Sequence, residues 1–135
     1  MLRFPYGRAR AALSAARAAG GADPCHGSRL RYRQPDGADI LPTLRAELRR
    51  LPAGFEGTPW RSTASTVFCV VEGRGRAAAG ESVFEWGAND VFVVPNWTAC
   101  SLAAEAEAVL FSYSDAAALE RLGLLRAERL EEAGG

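Results

Sequence analysis

Two β-prone blocks, each bounded by turn residues, constrain this chain more than any other feature. The first is Trp60 to Gly75, WRSTASTVFCVVEGRG, which closes on a Gly-x-Gly turn at Gly73 and Gly75. The second is Gly87 to Cys100, GANDVFVVPNWTAC. It opens on a turn at Gly87, Ala88, Asn89 and Asp90, runs through a strand Val91 to Val94, and stops at Pro95. Proline lacks a backbone donor, so it marks a strand end or an edge. Two such blocks in succession predict an all-β chain closed as a small antiparallel barrel or jelly roll.

With 135 residues, the chain is long enough for one domain with a real core. The formal net charge is zero, which gives no electrostatic case for nucleic acid or an anionic membrane as partner. All sixteen basic residues are Arg, which reads as coding bias with solvated guanidinium groups on polar faces. Cys25, Cys69 and Cys100 are irregularly spaced and form no CxxC, so neither a zinc ribbon nor a redox motif is expected. Reduced thiols in a cytoplasmic protein are the simplest reading. No apolar run approaches the length of a membrane span. Arg residues interrupt Met1 to Ala19, which reads as an amphipathic helix rather than a secretory signal.

The other elements follow in order. Pro5 suits a first helical turn, Gly7 to Ala19 is rich in helix formers, and Gly20-Gly21 would end that helix. Asp23-Pro24 starts a loop. Arg29 to Arg33 alternates as a half-buried strand, and Pro35-Asp36-Gly37 is a turn. Leu41 to Leu51 puts Leu44, Ala46 and Leu48 on one face and Arg45, Glu47 and Arg49 on the other. Its residue types favour helix, but the bounding Pro42 and Pro52 favour strand. Arg74 to Gly80 reads as a hairpin connection leading to the strand Val83 to Trp86. Thr98 to Ala104 and Ala108 to Tyr113 close the barrel. Ser114 or Asp115 can cap a helix Ala116 to Leu122 that ends at Gly123, and the charged tail from Arg126 to Gly135 is expected to fray.

These blocks resemble the two motifs of the cupin superfamily, and more narrowly those of the gentisate 1,2-dioxygenase family, which includes salicylate and hydroxynaphthoate dioxygenases. The catalytic half of that family carries His-Arg-His-Thr-x-Ser, then Glu-Gly-x-Gly, then Pro-x-Trp-x-Trp-His. Here the runs read Trp60-Arg61-Ser62-Thr63-Ala64-Ser65, Glu72-Gly73-Arg74-Gly75 and Pro95-Asn96-Trp97-Thr98-Ala99-Cys100. The start Phe4-Pro5-Tyr6, the run Asp23 to Tyr32, and the Ser114-Asp115 and Leu122-Gly123-Leu124 pairs resemble the C-terminal cupin of these two-cupin enzymes. The resemblance implies a single cupin barrel over residues 29–115. An N-terminal helix and loop (1–28) would precede it, and a C-terminal helix and tail (116–135) would follow. It also implies that the family's ferrous iron, which holds substrate and O2 for ring opening, belongs to the other cupin, while this half serves packing and assembly.

The three histidine ligand positions fall on Trp60, Ser62 and Cys100. Trp cannot ligate a metal, Ser is a poor neutral ligand, and a lone Cys does not make a site. No catalytic residue, cofactor or metal is therefore expected in this chain. Trp60, Ser62, Trp97 and Cys100 form the candidate pocket, with a small aromatic acid as candidate ligand, although Trp60, Trp86 and Trp97 fit core or interface positions better. A Cys25–His26 dyad is conceivable, but adjacent side chains seldom face each other, so His26 reads as loop surface. Glu72, Glu81, Glu85 and Asp90 read as solvated turn carboxylates, and Gly73-Arg74-Gly75 is not a phosphate loop. The expected partner is a second copy or a separately encoded catalytic cupin. The alternative reading is a stand-alone, metal-free cupin that binds an aromatic acid.

Overall fold

A computed structural model describes residues 6–8, 11–12 and 24–130 of the chain. Ten strands and, besides the helical residues 6–8 and 11–12, one helix follow one another along the described residues. They are β1 (Ser28–Arg31), β2 (Arg45–Leu51), β3 (Trp60–Ser62), β4 (Thr66–Glu72), β5 (Arg74–Ala79), β6 (Ser82–Gly87), β7 (Val91–Val94), β8 (Cys100–Ala104), β9 (Ala108–Ser114), α1 (Ala116–Arg121) and β10 (Ala127–Arg129). The strands form two five-stranded sheets in the orders β1-β2-β9-β4-β7 and β10-β3-β8-β5-β6, with antiparallel pairing throughout. This is the all-β double-sheet barrel that the two blocks predict.

Alternation builds the interior. Phe68 and Val70 of β4, Ala108 and Leu110 of β9, Trp86 of β6, and Cys100, Leu102 and Ala104 of β8 pack into one buried cluster between the sheets. Phe68 stacks on Phe92 with ring centroids 5.0 Å apart, and Phe84 meets Phe92 edge-on at 5.2 Å. A smaller cluster, Leu48 and Val109 with Leu30, Tyr32 and Phe111, lies on the other face of β1, β2 and β9.

Four elements differ from the sequence reading. The block Trp60 to Gly75 is two strands in different sheets, because the chain crosses between layers at residues 63–65. Arg74 to Ala79 is not a hairpin connection but a strand paired on both sides, with β6 and β8; its Ala and Arg residues carry little β signal, and pairing overrides propensity. The tail does not fray over its first residues. β10 pairs with β3, and Thr63 and Leu130 extend the ladder by donating to Arg126 and Pro59, which satisfies an otherwise bare edge. Of the two capping candidates, Ser114 accepts from the Ala116 N–H at 3.4 Å, whereas Asp115 makes no side-chain cap and its carboxylate accepts from the Ser65 backbone N–H. Residues 6–8 and 11–12 are helical, whereas the expected cap at Gly20-Gly21 lies outside the described residues. No helix among the described residues is long and apolar enough to cross a membrane.

The Gly-x-Gly turn has a steric reason. Gly73 sits at φ +94°, and Gly75 lies where β5 passes against β8 and the Trp86 ring. A Cβ on Gly75 would fall 2.0 Å from the Ala103 carbonyl oxygen and 2.6 Å from the Trp86 ring. Gly75→Ala is therefore expected to lower stability by about 3 kcal/mol, and Gly37→Ala, which meets only its φ of +87° in open space, by about 1 kcal/mol. Urea denaturation of both variants checks this, and equal losses would contradict it.

Candidate functional site

Strand β2 is buried along its whole length, charged residues included. Its register on β9 sets Glu47 opposite Ser112 and Arg49 opposite Leu110, so the charged set turns toward the opposite sheet. The Arg49 guanidinium carbon stands 4.9 Å from the centre of the Phe68 ring and 6.0 Å from that of Trp60. Glu47 lies 3.7 Å from Arg49 Nη2 and accepts a second ion pair from Arg29 of β1 at 3.4 Å. The polar face predicted for this strand is thus correctly grouped, but it is interior rather than solvated.

His26 completes the cluster. It is half-buried, and its ring meets Trp60 edge-on at 4.3 Å, so it is not the surface loop residue expected. Arg49 Nη1 is in hydrogen-bonding contact with His26 Nδ1. A guanidinium can only donate, so Nδ1 accepts and the imidazole is held neutral with its proton on Nε2. Burial first, then the charges of Arg49 and Arg29, push the His26 pKa far below its ordinary value.

The four candidate pocket residues are neighbours along the backbone, but their side chains do not line one pocket. Trp60 and Cys100 are direct cross-strand partners at the β3–β8 contact. Cys100 belongs to the packed core with 1% of its surface exposed, and burial pushes its thiol up to about 12, against a smaller opposing effect of Arg49. Ser62 Oγ accepts from the Ala64 backbone N–H at 3.1 Å. Trp97 donates its backbone N–H to the Ser62 carbonyl oxygen at 2.6 Å, but its ring turns to the Arg61 guanidinium at 4.4 Å; Arg61 alternates with Trp60 and Ser62 and so lies on the other face of β3. The opening beside this cluster is instead a groove of about 230 Å³ lined by Cys25, His26, Arg29, Trp60 and residues 127–129 of β10. Arg49, Glu47 and Arg29 were not singled out in the sequence, and His26 was weighed there only beside Cys25. The available signal was the charged alternation of β2 between two prolines, read there without its direction.

This donor set does not fit ferrous iron. An indole, a hydroxyl committed to a backbone turn and one thiol buried in the packed core offer no ligand triad, and a guanidinium stands beside them. Among the described residues, no three His, Cys, Asp or Glu side chains group closely enough to hold a metal.

Known proteins share this frame. No family model matches the chain. Gentisate 1,2 dioxygenase 1 of Aquipseudomonas alcaligenes is 44% identical over 130 residues, which are 96% of this chain and 38% of that protein. A gentisate 1,2-dioxygenase of a Streptomyces species is 42% identical over 110 residues, 81% of this chain and 30% of that one. The crystal structure of a salicylate 1,2-dioxygenase from Pseudaminobacter salicylatoxidans superposes with a TM-score of 0.86 at 34% identity, covering 93% of this chain and 38% of that one. The chain is a cupin domain of the gentisate 1,2-dioxygenase family. This gentisate-type cupin domain spans well under half the length of the relatives it matches.

The buried thiol of this cupin domain carries a pH signature. An unfolded Cys ionises near its ordinary value of about 8.5, whereas folded Cys100 holds its proton up to about 12. Between these values the unfolded state binds fewer protons, so stability is full below the lower value and falls as pH rises. The Cys100 contribution to that fall is about 1.4 kcal/mol per pH unit. Urea denaturation from about pH 7.5 to about pH 10.5 should show a steeper loss in the native domain than in Cys100→Ala. Parallel curves would contradict the assignment.

Proposed function

We propose that this cupin domain is the non-catalytic, C-terminal-type half of a gentisate-type dioxygenase. It packs and assembles with an iron-bearing cupin and has no ring-cleaving activity of its own. One observation carries the reading: Arg49 stands against His26, Trp60 and Phe68, which puts a positive charge beside the positions where the family motif has its histidines. A cation placed there would meet a fixed like charge and no anionic ligand triad.

An assembly role also accounts for the outer face of the β4–β7 pair, where Val71, Val91 and Val93 are exposed, with Tyr113 of β9 beside them. Apolar surface of this kind marks interfaces, here with a catalytic cupin or a second copy. The free thiols Cys25, Cys69 and Cys100 support a cytoplasmic setting.

The groove beside Trp60 favours a second reading, in which the domain holds an aromatic acid without turning it over. Arg29 would meet the carboxylate there, and the Trp60 and His26 rings would meet the aromatic face.

The experiment has two arms. The purified domain, reconstituted anaerobically with ferrous iron and exposed to O2, should give no maleylpyruvate absorbance from gentisate above a metal-only control. The triple variant Trp60→His, Ser62→His, Cys100→His should take up no stoichiometric iron while Arg49 is present, and should gain affinity when Arg49→Met is added. Ring cleavage by the native domain, or iron uptake by the triple variant with Arg49 intact, would overturn the proposal. Thermal stabilisation by gentisate that is lost in Trp60→Leu would establish the second reading.

A further inference from the structure

A second polar concavity lies away from the barrel centre, where the loop after β1, the start of β2 and helix α1 meet. It has a volume of about 330 Å³, and its charged lining is Arg31, Arg33, Arg45, Arg121, Asp39 and Glu120. Both acids are already engaged, and by the same residue. Arg45 grips Asp39 through two hydrogen bonds of 3.0 and 3.1 Å and also donates to Glu120. These bonds hold the Asp39 and Glu120 carboxyls below their usual range, so both stay ionised and spent on Arg45.

Arg31, Arg33 and Arg121 are left facing the same space. Arg33 donates to the Gly37 carbonyl oxygen at 2.8 Å and makes no salt bridge among the described residues, although its charge acts on Asp39 across their β-bridge. Neither Arg31 nor Arg121 makes a salt bridge among the described residues. Four guanidinium groups against two carboxylates leave a surplus of two positive charges in one cavity. Burial and then the neighbouring Arg45 charge lower the Arg31 pKa, and the carboxylates of Glu47 and Asp39 offset this only in part, so a further anion beside Arg31 would favour its charged form.

We propose that this cavity binds a small dianion, either a phosphate-bearing or a dicarboxylate molecule. Arg31 and Arg33 would supply planar donor pairs to its oxygens, and Arg45 would be the fixed floor anchored by Asp39 and Glu120. Guanidinium forks match carboxylate and phosphate oxygens two at a time, and two surplus charges match a dianion rather than a monoanion. The site is separate from the groove beside Trp60, with which it shares no lining residue.

The test is thermal unfolding of the domain at constant ionic strength. The additives are inorganic phosphate, succinate, or the monoanion acetate as control. Phosphate or succinate at about tenfold saturation should raise the midpoint by about 4 °C, and acetate should not. The larger of the two dianion shifts identifies which chemistry the cavity reads. The shift should disappear in Arg31→Gln. It should also disappear in the double variant Arg33→Gln, Arg121→Gln, whose residues are exposed. No shift with either dianion, an equal shift with acetate, or a dianion shift that survives in the double variant would overturn the site.

Discussion

Everything at the centre of this domain depends on one buried cation. Removing a guanidinium from water costs several kcal/mol unless neighbours compensate it. Here Glu47 supplies the counter-charge, His26 an acceptor, and the rings of Phe68 and Trp60 their negative faces. Each compensating group is fixed in turn by the fold. Glu47 precedes Arg49 by two residues on the same face of β2, Trp60 is held opposite Cys100, and the His26 loop is tied down where Thr58 donates to Pro24 at 2.9 Å. A lysine could not substitute, because its point charge lacks the flat surface that lies against two rings while donating sideways.

A cupin barrel built around a guanidinium keeps the family's frame and changes what the frame encloses. Strand pairing, the Gly-x-Gly turn and the Pro95 stop are backbone properties, and they are indifferent to whether a histidine or a tryptophan faces inward. In this chain the cross-strand Trp60–Cys100 pair and the Phe68 stack make the interior a packed core. The open concavities lie at the margins, in the groove at β10 and the arginine-lined cavity at α1.

Much of this architecture was legible in the residues. Alternation and turn chemistry marked β4, β6, β7 and β9, and proline marked the end of β7. What was not legible depends on long-range pairing. Nothing local in Ala127 to Arg129 says that β3 needs an edge partner, and the run from Arg74 to Ala79 lacks the β-branched residues that announce a strand. The charged face of β2 was misread for a clearer reason. Alternation reveals two faces but not which is inward, and charge ordinarily means outward. Sequence proximity placed His26 beside Cys25, whereas the fold places it against Trp60 and Arg49, residues far along the chain.

The most direct test of the buried-cation account uses the fact that His26 is the only histidine. Nitrogen-15 NMR of a histidine-labelled sample reports its tautomer and titration without assignment. The account predicts one neutral imidazole with its proton on Nε2, unchanged from about pH 8 to about pH 5 and unmoved by added ferrous or zinc ions. Titration near the ordinary value of about 6.5, a proton on Nδ1, or a metal-dependent shift would show that Arg49 does not hold this centre.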